Sequence, residues 1–319
     1  MILAGDIGGT HARLAFFDEG EKTVERKYPS REAAGLEPIV QQFLQSEKGN
    51  VMKACFGIAG VIRNGRCKPT NLPWLLDEAA LSKTLRFPVR LLNDLEANAY
   101  GLRKLKEEEL CLLQAGEQGV RGNQALVSAG TGLGEAGLFW DGKRHRPFAC
   151  EGGHVDFAPR NDEEISLFQY LKKKFGHVSY ERVVSGPGMR EIFHFLIDTK
   201  RFPLSSSMEK EMEKRDLSMV VSEWGRAGKD PACVKALEMF VSAYGAEAGN
   251  VALKFLSVGG LYLGGGIAPH LLESLRKGPF LSSFLEKGRF KKLLEAIPIW
   301  VVLNDDTALL GAAAFAEEL

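Results

Sequence analysis

The chain has 319 residues, 45% of them hydrophobic, enough for one large core or two medium ones, and its length favours two. Lys plus Arg and Asp plus Glu both number 41, so net charge gives no case for nucleic acid or an anionic membrane as partner and points to a small molecule. Cys55, Cys67, Cys111, Cys150 and Cys233 are scattered and without a C-x-x-C pair, which argues against a disulfide framework and a structural zinc site and fits a reducing cytoplasm. Met1-Ile2-Leu3-Ala4 meets Gly5 and Asp6 at once, leaving no room for a signal peptide, and no apolar run approaches membrane-spanning length.

Apolar runs at Met1–Ile7, Ala12–Phe17 and Thr23–Tyr28 read as three consecutive strands with links short enough for hairpins. Helices then alternate with strands. Ile39, Val40, Phe43 and Leu44 share a helical face, Ala54–Ala59 is a strand, Asp77–Leu85 a short helix and Val89–Leu92 a strand, and Leu95, Ala99 and Leu102 line another helix. The order then recurs: Gln124–Ser128, Glu135–Trp140 and Arg146–Cys150 read as strands, followed by helices, a strand at Leu261–Leu263, a helix from Ile267, a strand at Ile297–Leu303 and a closing helix. A helical insertion spans roughly Asp162 to Leu256. Its last helix starts at Asp230-Pro231, a cap followed by a first-turn proline, and the stripe Val234, Leu237, Val241, Tyr244, Ala248 and Val251 reads as core. The expected division is a smaller α/β domain of residues 1–104 and 297–319, and a larger one of 105–296 that carries the insertion.

The 35 glycines concentrate in loops after strands, where ligands sit in α/β proteins. Two of these loops carry a threonine: Gly5-Asp6-Ile7-Gly8-Gly9-Thr10, and Ser128-Ala129-Gly130-Thr131-Gly132-Leu133-Gly134. Each offers successive backbone N–H groups and a hydroxyl, the makings of an anion nest, although either loop alone also reads as a plain turn. Asp6, placed beside phosphates, would repel them unless a Mg2+ ion lay between, bound through water; its alternative is a turn residue bonding its own backbone. Gly264-Gly265-Gly266 after the strand at Leu261 is either a bare-backbone seat for a nucleoside or a tight strand-to-helix turn. Ser185-Gly186-Pro187-Gly188 reads as a helix-to-helix turn rather than a ligand loop.

Two β-β-β-α-β-α-β-α units, each opening on a glycine-threonine loop, are the layout of the actin-like sugar kinases and ATPases, two ribonuclease-H-like domains around a cleft. The chain resembles bacterial glucokinases of the hexokinase type from end to end. The matching segments are Gly5–Thr10, Leu92-Asn93-Asp94, Gly130–Gly134, Glu151-Gly152-Gly153-His154-Val155-Asp156-Phe157, Glu181–Gly188 and Gly264-Gly265-Gly266-Ile267.

The resemblance implies phosphorylation of glucose at its 6-hydroxyl by ATP with Mg2+. Gly5, Asp6, Ile7, Gly8, Gly9 and Thr10 from one domain, and Gly130, Thr131, Gly132, Gly264, Gly265 and Gly266 from the other, would hold the nucleotide. Asp94 would be the catalytic base, taking the proton of the sugar hydroxyl, although an aspartate at a strand-to-helix junction is also a preferred helix cap. Asn93, Asp94, Glu151, His154 and Glu181 would hold the sugar, with Asn71 a weaker candidate, because a ring of hydroxyls needs carboxylates, amides and an imidazole at fixed positions. Domain closure would exclude water from the transfer. A homodimer is implied by the family alone.

Three alternatives stay open at this level. The substrate could be another hexose, since one altered hydroxyl contact redirects specificity. The chain could be a sugar-responsive regulator or actin-like ATPase without transfer chemistry, although no basic helix-turn-helix segment precedes Gly5 and a bare ATPase has no use for Glu151, His154 and Glu181. Glu151, His154 and Asp156 could also ligate a metal. His11 and Glu135 depart from the family's usual residues, and Glu135 is expected to put a negative charge near the phosphates.

Overall fold

The computed structural model describes every residue except Gln118. The chain divides into two compact units, Met1–Glu109 with Arg146–Ala149 and Asn304–Leu319, and Leu110–His145 with Cys150–Leu303. Both are α/β, each built on a mixed sheet.

In the first unit β1 (Ile2–Ile7), β2 (His11–Asp18), β3 (Glu21–Pro29), β4 (Lys53–Ile58) and β8 (Val89–Asn93) form a sheet in the order β3-β2-β1-β4-β8. The hairpin-linked strands pair antiparallel, while β1, β4 and β8 run parallel. Parallel pairing needs crossovers, supplied by α1 (Leu36–Ser46) and α2 (Glu78–Leu85). Between β4 and α2 the short strands β5 (Ile62–Arg63), β6 (Arg66–Cys67) and β7 (Leu76–Asp77) make a small separate sheet that the periodicity of the sequence does not announce.

Alternation along the strands divides the core into two layers. Leu3, Leu14, Phe16 and Phe56 face one way and pack with Ile39, Val40 and Phe43 of α1. Ala4, Ala15, Phe17 and Cys55 face the other way, against Ala97 and Tyr100 of α3 (Asp94–Gly101) and Leu309, Ala312 and Ala316 of the closing helix Thr307–Glu317. Those two helices meet at glycines: a Cβ at Gly101 would strike the carbonyl of Thr307, and one at Gly311 the carbonyl of Ala97. The closing helix is also held through Arg13, which bonds Glu25 at 2.8 Å, the Asp305 carbonyl at 2.8 Å and the Asp306 carboxylate.

The second unit begins with β9 (Leu110–Gln114), then β10 (Gln124–Ala129) and β11 (Leu133–Trp140); next in the chain comes β12 (His145–Ala149), all but its first residue grouped with the first unit. The insertion follows as α4 (Asp162–Phe175), α5 (Gly186–Asp198), α6 (Ser206–Met212), α7 (Leu217–Arg226) and α8 (Pro231–Phe255). β13 (Gly260–Gly264), the single-turn α9 (Ile267–His270), several short helices and β14 (Ile299–Val302) complete it. β10 pairs antiparallel with β11 and parallel with β13, which pairs parallel with β14. Asp230 caps α8 by accepting from the amides of Ala232 and Cys233, and of the expected core stripe Leu237, Val241, Tyr244, Ala248 and Val251 are buried while Val234 at its start is half-buried.

The division differs from 1–104, 297–319 and 105–296 at both boundaries. The sequence pattern groups Ile299–Val302 with the small domain, but its ladder bonds run to β13 and to β9, an edge strand that periodicity does not reveal. Residues 105–109 stay with the first unit, where Glu109 accepts from the Asn304 amide at 2.5 Å.

Candidate active site

In the first unit the loop Gly8-Gly9-Thr10 is the turn between β1 and β2. The Gly8 amide closes the turn on the His11 carbonyl at 3.0 Å, so it is not available to a ligand. The amides of Gly9 and Thr10 make no hydrogen bond among the described residues. Ser30 anchors the loop, its hydroxyl donating to the Gly8 carbonyl at 2.8 Å and its amide to the Thr10 carbonyl at 3.0 Å. Asn71 lies against Gly9, with its Cβ where a Cβ on the glycine would intrude at 2.7 Å. The weak candidate Asn71 therefore borders the glycine-threonine turn.

Asp6 stands directly opposite Arg13 in the β1–β2 register. Its carboxyl makes no hydrogen bond or ion pair among the described residues, and burial pushes its pKa up, with Arg13 pulling the other way. Arg13 is already engaged by Glu25 and Asp306. A desolvated carboxylate without a cation of its own suits a hard cation or its water shell, so the residue present fits Mg2+.

At the junction of β8 and α3 the cap is Asn93, not Asp94. Asn93 Oδ1 accepts from the amides of Leu95 at 3.0 Å and Glu96 at 3.3 Å, and Nδ2 donates to the Gly60 carbonyl at 3.2 Å. Asp94 is the first helical residue; its Oδ1 shares the Leu95 amide at 3.0 Å, and the side chain is half-buried. The two readings of this junction thus divide between neighbours. Asn93 does the capping, and much of its hydrogen-bonding capacity is taken up by the chain.

In the second unit Gly130-Thr131-Gly132 is the turn between β10 and β11. The Gly130 amide closes it on the Gly132 carbonyl at 2.8 Å, and the Gly130 carbonyl accepts from the Gly186 amide at 2.8 Å. Ser185-Gly186-Pro187-Gly188 is therefore more than a turn between helices: Ser185 caps α5 through the Gly188 amide at 3.0 Å, and the loop packs on the glycine-threonine turn. A cavity of about 490 Å³ opens here, lined by Gly130, Thr131, Gly186, Gly266, Ile267 and Met219 among others. Of the three glycines after β13, Gly265 adopts φ +77° with the Ala129 carbonyl where a Cβ would go, and Gly266 faces open space in the cavity. Gly264 packs on Leu126 as part of the strand and does not line it. Sequence reasoning reads Ser185–Gly188 as a helix-to-helix turn and misses its contribution here, although its glycines beside a capping serine and its place in a matching family segment are signals.

Glu181, in the 3₁₀ turn Tyr180–Arg182, reaches this same loop. Its Oε2 accepts the Leu133 amide at 3.0 Å, and its Oε1 lies 4.0 Å from His154 Nδ1. His154 and Glu151 bound the 3₁₀ turn Gly152–His154, and both are exposed. That turn sits on β11, because a Cβ at Gly153 would strike the Leu133 carbonyl. The structure thus brings Glu181, and the turn that carries Glu151 and His154, against Gly132 and Leu133. Asp156 is taken instead by His177, whose Nε2 lies 2.9 Å from its Oδ1. Among the described residues no three His, Cys, Asp or Glu side chains gather as a metal-ligand set.

Glu135 corrects an expectation. Its side chain is almost fully buried, and desolvation together with Glu247 raises its pKa to about 8. At neutral pH it is mainly protonated, so it puts no full negative charge beside the phosphate loop.

Glycine-threonine turns at strand ends, a polar carboxylate and imidazole cluster beside one of them, and a mixed-sheet α/β fold define the class of sugar kinases. The solved glucokinase of an Antarctic psychrotroph superposes on all of this chain and 99% of its own with a TM-score of 0.85 at 28% identity. Residues 3–319 match the family model named Glucokinase. Curated relatives named glucokinase include that of Trichormus variabilis, 40% identical with 100% of this chain and 99% of the relative covered, and that of Escherichia coli, 34% identical with 98% and 95% covered. The chain belongs to the glucokinase family, and with it to the hexose kinases. A Streptomyces griseus glucokinase of the ROK family, solved in complex with glucose and AMPPNP, shares the fold with a TM-score of 0.67 at 20% identity, covering 100% of this chain and 99% of that one.

Proposed function

We propose that the chain transfers the γ-phosphoryl group of ATP to the 6-hydroxyl of D-glucose, with Asp94 as the catalytic base. The observation that carries the assignment is the division of labour at the β8–α3 junction: Asn93 satisfies the first helical amides and leaves Asp94 a half-buried carboxylate at the carboxyl end of a parallel strand, where ligands sit in α/β sheets.

Asp94 is too weak a base to ionise an alcohol in advance. In a loose transition state the proton leaves late, so the carboxylate chiefly orients the hydroxyl and accepts its proton as the new O–P bond forms. Asn93, Glu151, His154 and Glu181 hold the remaining hydroxyls, and Asn93 contributes what its cap leaves over. The free amides of Gly9 and Thr10, and the turn Gly130–Gly132, donate to the phosphates. The cavity beside Gly130 and Gly266, floored by Met189, Met219 and Ile267, has the apolar lining that a nucleobase needs. Asp6 would hold Mg2+ through the ion's water shell, and the ion when bound would supply neutralisation of charge on the phosphates.

The antiparallel-then-parallel pairing around β1, repeated around β10, supports reading the two units as duplicated ribonuclease-H-like domains of the actin-like superfamily. Among the described residues no helix is long and apolar enough to cross a membrane. A cytoplasmic homodimer is the setting we infer, on family grounds. A coupled assay with ATP, Mg2+ and a panel of hexoses tests the reading: glucose turned over with the highest kcat/KM supports it, preference for another hexose redirects it, and ATP hydrolysis without sugar phosphorylation overturns it.

A further inference from the structure

Beneath the segments that carry Glu151, His154 and Glu181 lies a buried polar network with no place in the transfer chemistry described above. Glu247 of α8 is completely buried; its Oε1 accepts from Lys254 at 3.1 Å and its Oε2 from Asn250 Nδ2 at 2.8 Å. The same Asn250 amide donates to the Tyr180 hydroxyl at 3.0 Å, and Asn250 Oδ1 accepts from Lys287 at 2.6 Å. Glu135 of β11 enters from the other side, its buried carboxyl close enough to that of Glu247 to feel its charge, with Oε1 making no hydrogen bond among the described residues. A Cβ at Gly152 would fall on Glu135 Oε2, so the turn Gly152–His154 rests on this carboxyl, and Cys150 just before it donates its thiol to the Glu135 carbonyl at 3.3 Å.

The network therefore touches both candidate sugar segments, one at Gly152 and the other at Tyr180. The two segments are also joined directly, because the Tyr180 amide donates to the Val155 carbonyl at 3.1 Å and the Phe157 amide to the Val178 carbonyl at 2.9 Å. Two neighbouring buried carboxyls repel unless one of them keeps its proton. Lys254 balances one negative charge, at Glu247. The other cation of the network, Lys287, lies on the neutral Asn250 and is itself pushed toward its neutral form by burial and by Arg160.

We propose that Glu135 is a positioning residue for the sugar: its buried carboxyl, beside that of Glu247 and directly under Gly152, seats the turn that presents Glu151 and His154 and keeps it aligned with Tyr180 and Glu181. The inference rests on the reading of those three side chains as sugar ligands. Loss of the proton places two carboxylates side by side under Gly152, with Lys254 alone to offset them, and the turn must move. Among the other groups facing the pair, burial raises the pKa of Cys150 and of Tyr180, the latter to about 12, and lowers that of Lys287; Glu135→Gln alters none of these side chains, so it isolates the Glu135 carboxyl.

Calorimetric titration of the full-length chain with D-glucose at pH 7 and pH 9.5 tests it. The wild type is expected to lose at least fivefold in affinity between the two, and Glu135→Gln, which supplies a permanent donor of the same shape, is expected to lose less than twofold. Equal losses in both overturn the inference and leave the sugar site standing. A wild type that binds no glucose at either pH overturns the reading of the sugar ligands beneath it. Tyr180→Phe removes the hydroxyl that receives Asn250 without touching the carboxyl pair. It is expected to weaken glucose at pH 7 about three- to tenfold, and an unchanged dissociation constant would count against the network even if Glu135→Gln did not fold.

Discussion

Glu181 Oε2 accepts the backbone amide of Leu133 at 3.0 Å, so a carboxylate of the candidate sugar site is fastened to the end of the glycine-threonine turn. The candidate sugar and phosphate parts of the second unit are thereby joined by a direct hydrogen bond. Glu181→Ala is expected to raise KM for both glucose and ATP, by about tenfold or more for glucose, because it removes a proposed sugar ligand and frees the turn. Initial-rate kinetics with each substrate varied in turn checks this; an effect on glucose alone would show that the turn keeps its shape without Glu181.

Asp94→Ala removes the proton acceptor but neither of the cap bonds made by Asn93. Turnover should fall by about 10²- to 10⁴-fold, with glucose and nucleotide affinity kept within a few-fold. The measurement is kcat beside calorimetric binding, and a purified variant that retained its turnover would exclude Asp94 as the base.

Asn93→Ala acts chiefly through stability. It deletes the bonds to the Leu95 and Glu96 amides, a loss of about 1 kcal/mol by the usual worth of a cap, with a further cost for the Gly60 carbonyl left without its donor. Thermal denaturation should show a lowered midpoint, and an unchanged one would mean that the helix start holds without the Asn93 cap.

Gly311→Ala tests the close approach of α3 and the closing helix. The added methyl would meet the Ala97 carbonyl and force the helices apart, at a cost of about 1–3 kcal/mol. Denaturant unfolding measures it, and a neutral result would mean that the helices can separate cheaply.

Glu135 also predicts the pH dependence of stability. Its pKa rises from 4.5 to about 8 on folding, so the unfolded chain releases this proton first and stability from this group falls as pH climbs from about 4.5 to about 8, then levels off. Below that window both states are protonated and the group contributes no slope. Glu135→Gln should remove the decline, so that its melting temperature gains on the wild type by roughly a few degrees across the window. Parallel melting curves for the two proteins would contradict the assignment.

Much of this protein is legible in its local sequence. The glycine-threonine loops, the alternating strands, the capped helix at Asp230 and the apolar stripe through Tyr244 are patterns of short range, because hydrogen-bond geometry and side-chain period act over a few residues. Asp94, Glu151, His154 and Glu181 stand out by type, by place beside glycines and by family likeness. Partnerships between residues far apart in the chain are not legible in this way. Ile299–Val302 pairs with Leu110–Gln114 across the length of the second unit, and no local period encodes that choice. Whether Asn93 or Asp94 caps α3 depends on the carbonyl of Gly60 reaching the Asn93 amide. The charge of Glu135 depends on Glu247, over a hundred residues away, because a carboxyl's proton is governed by desolvation and by its neighbours in space. The order of residues thus lays out the chemistry on offer, while long-range packing settles which of those groups are spent on holding the fold and which are left for the substrate.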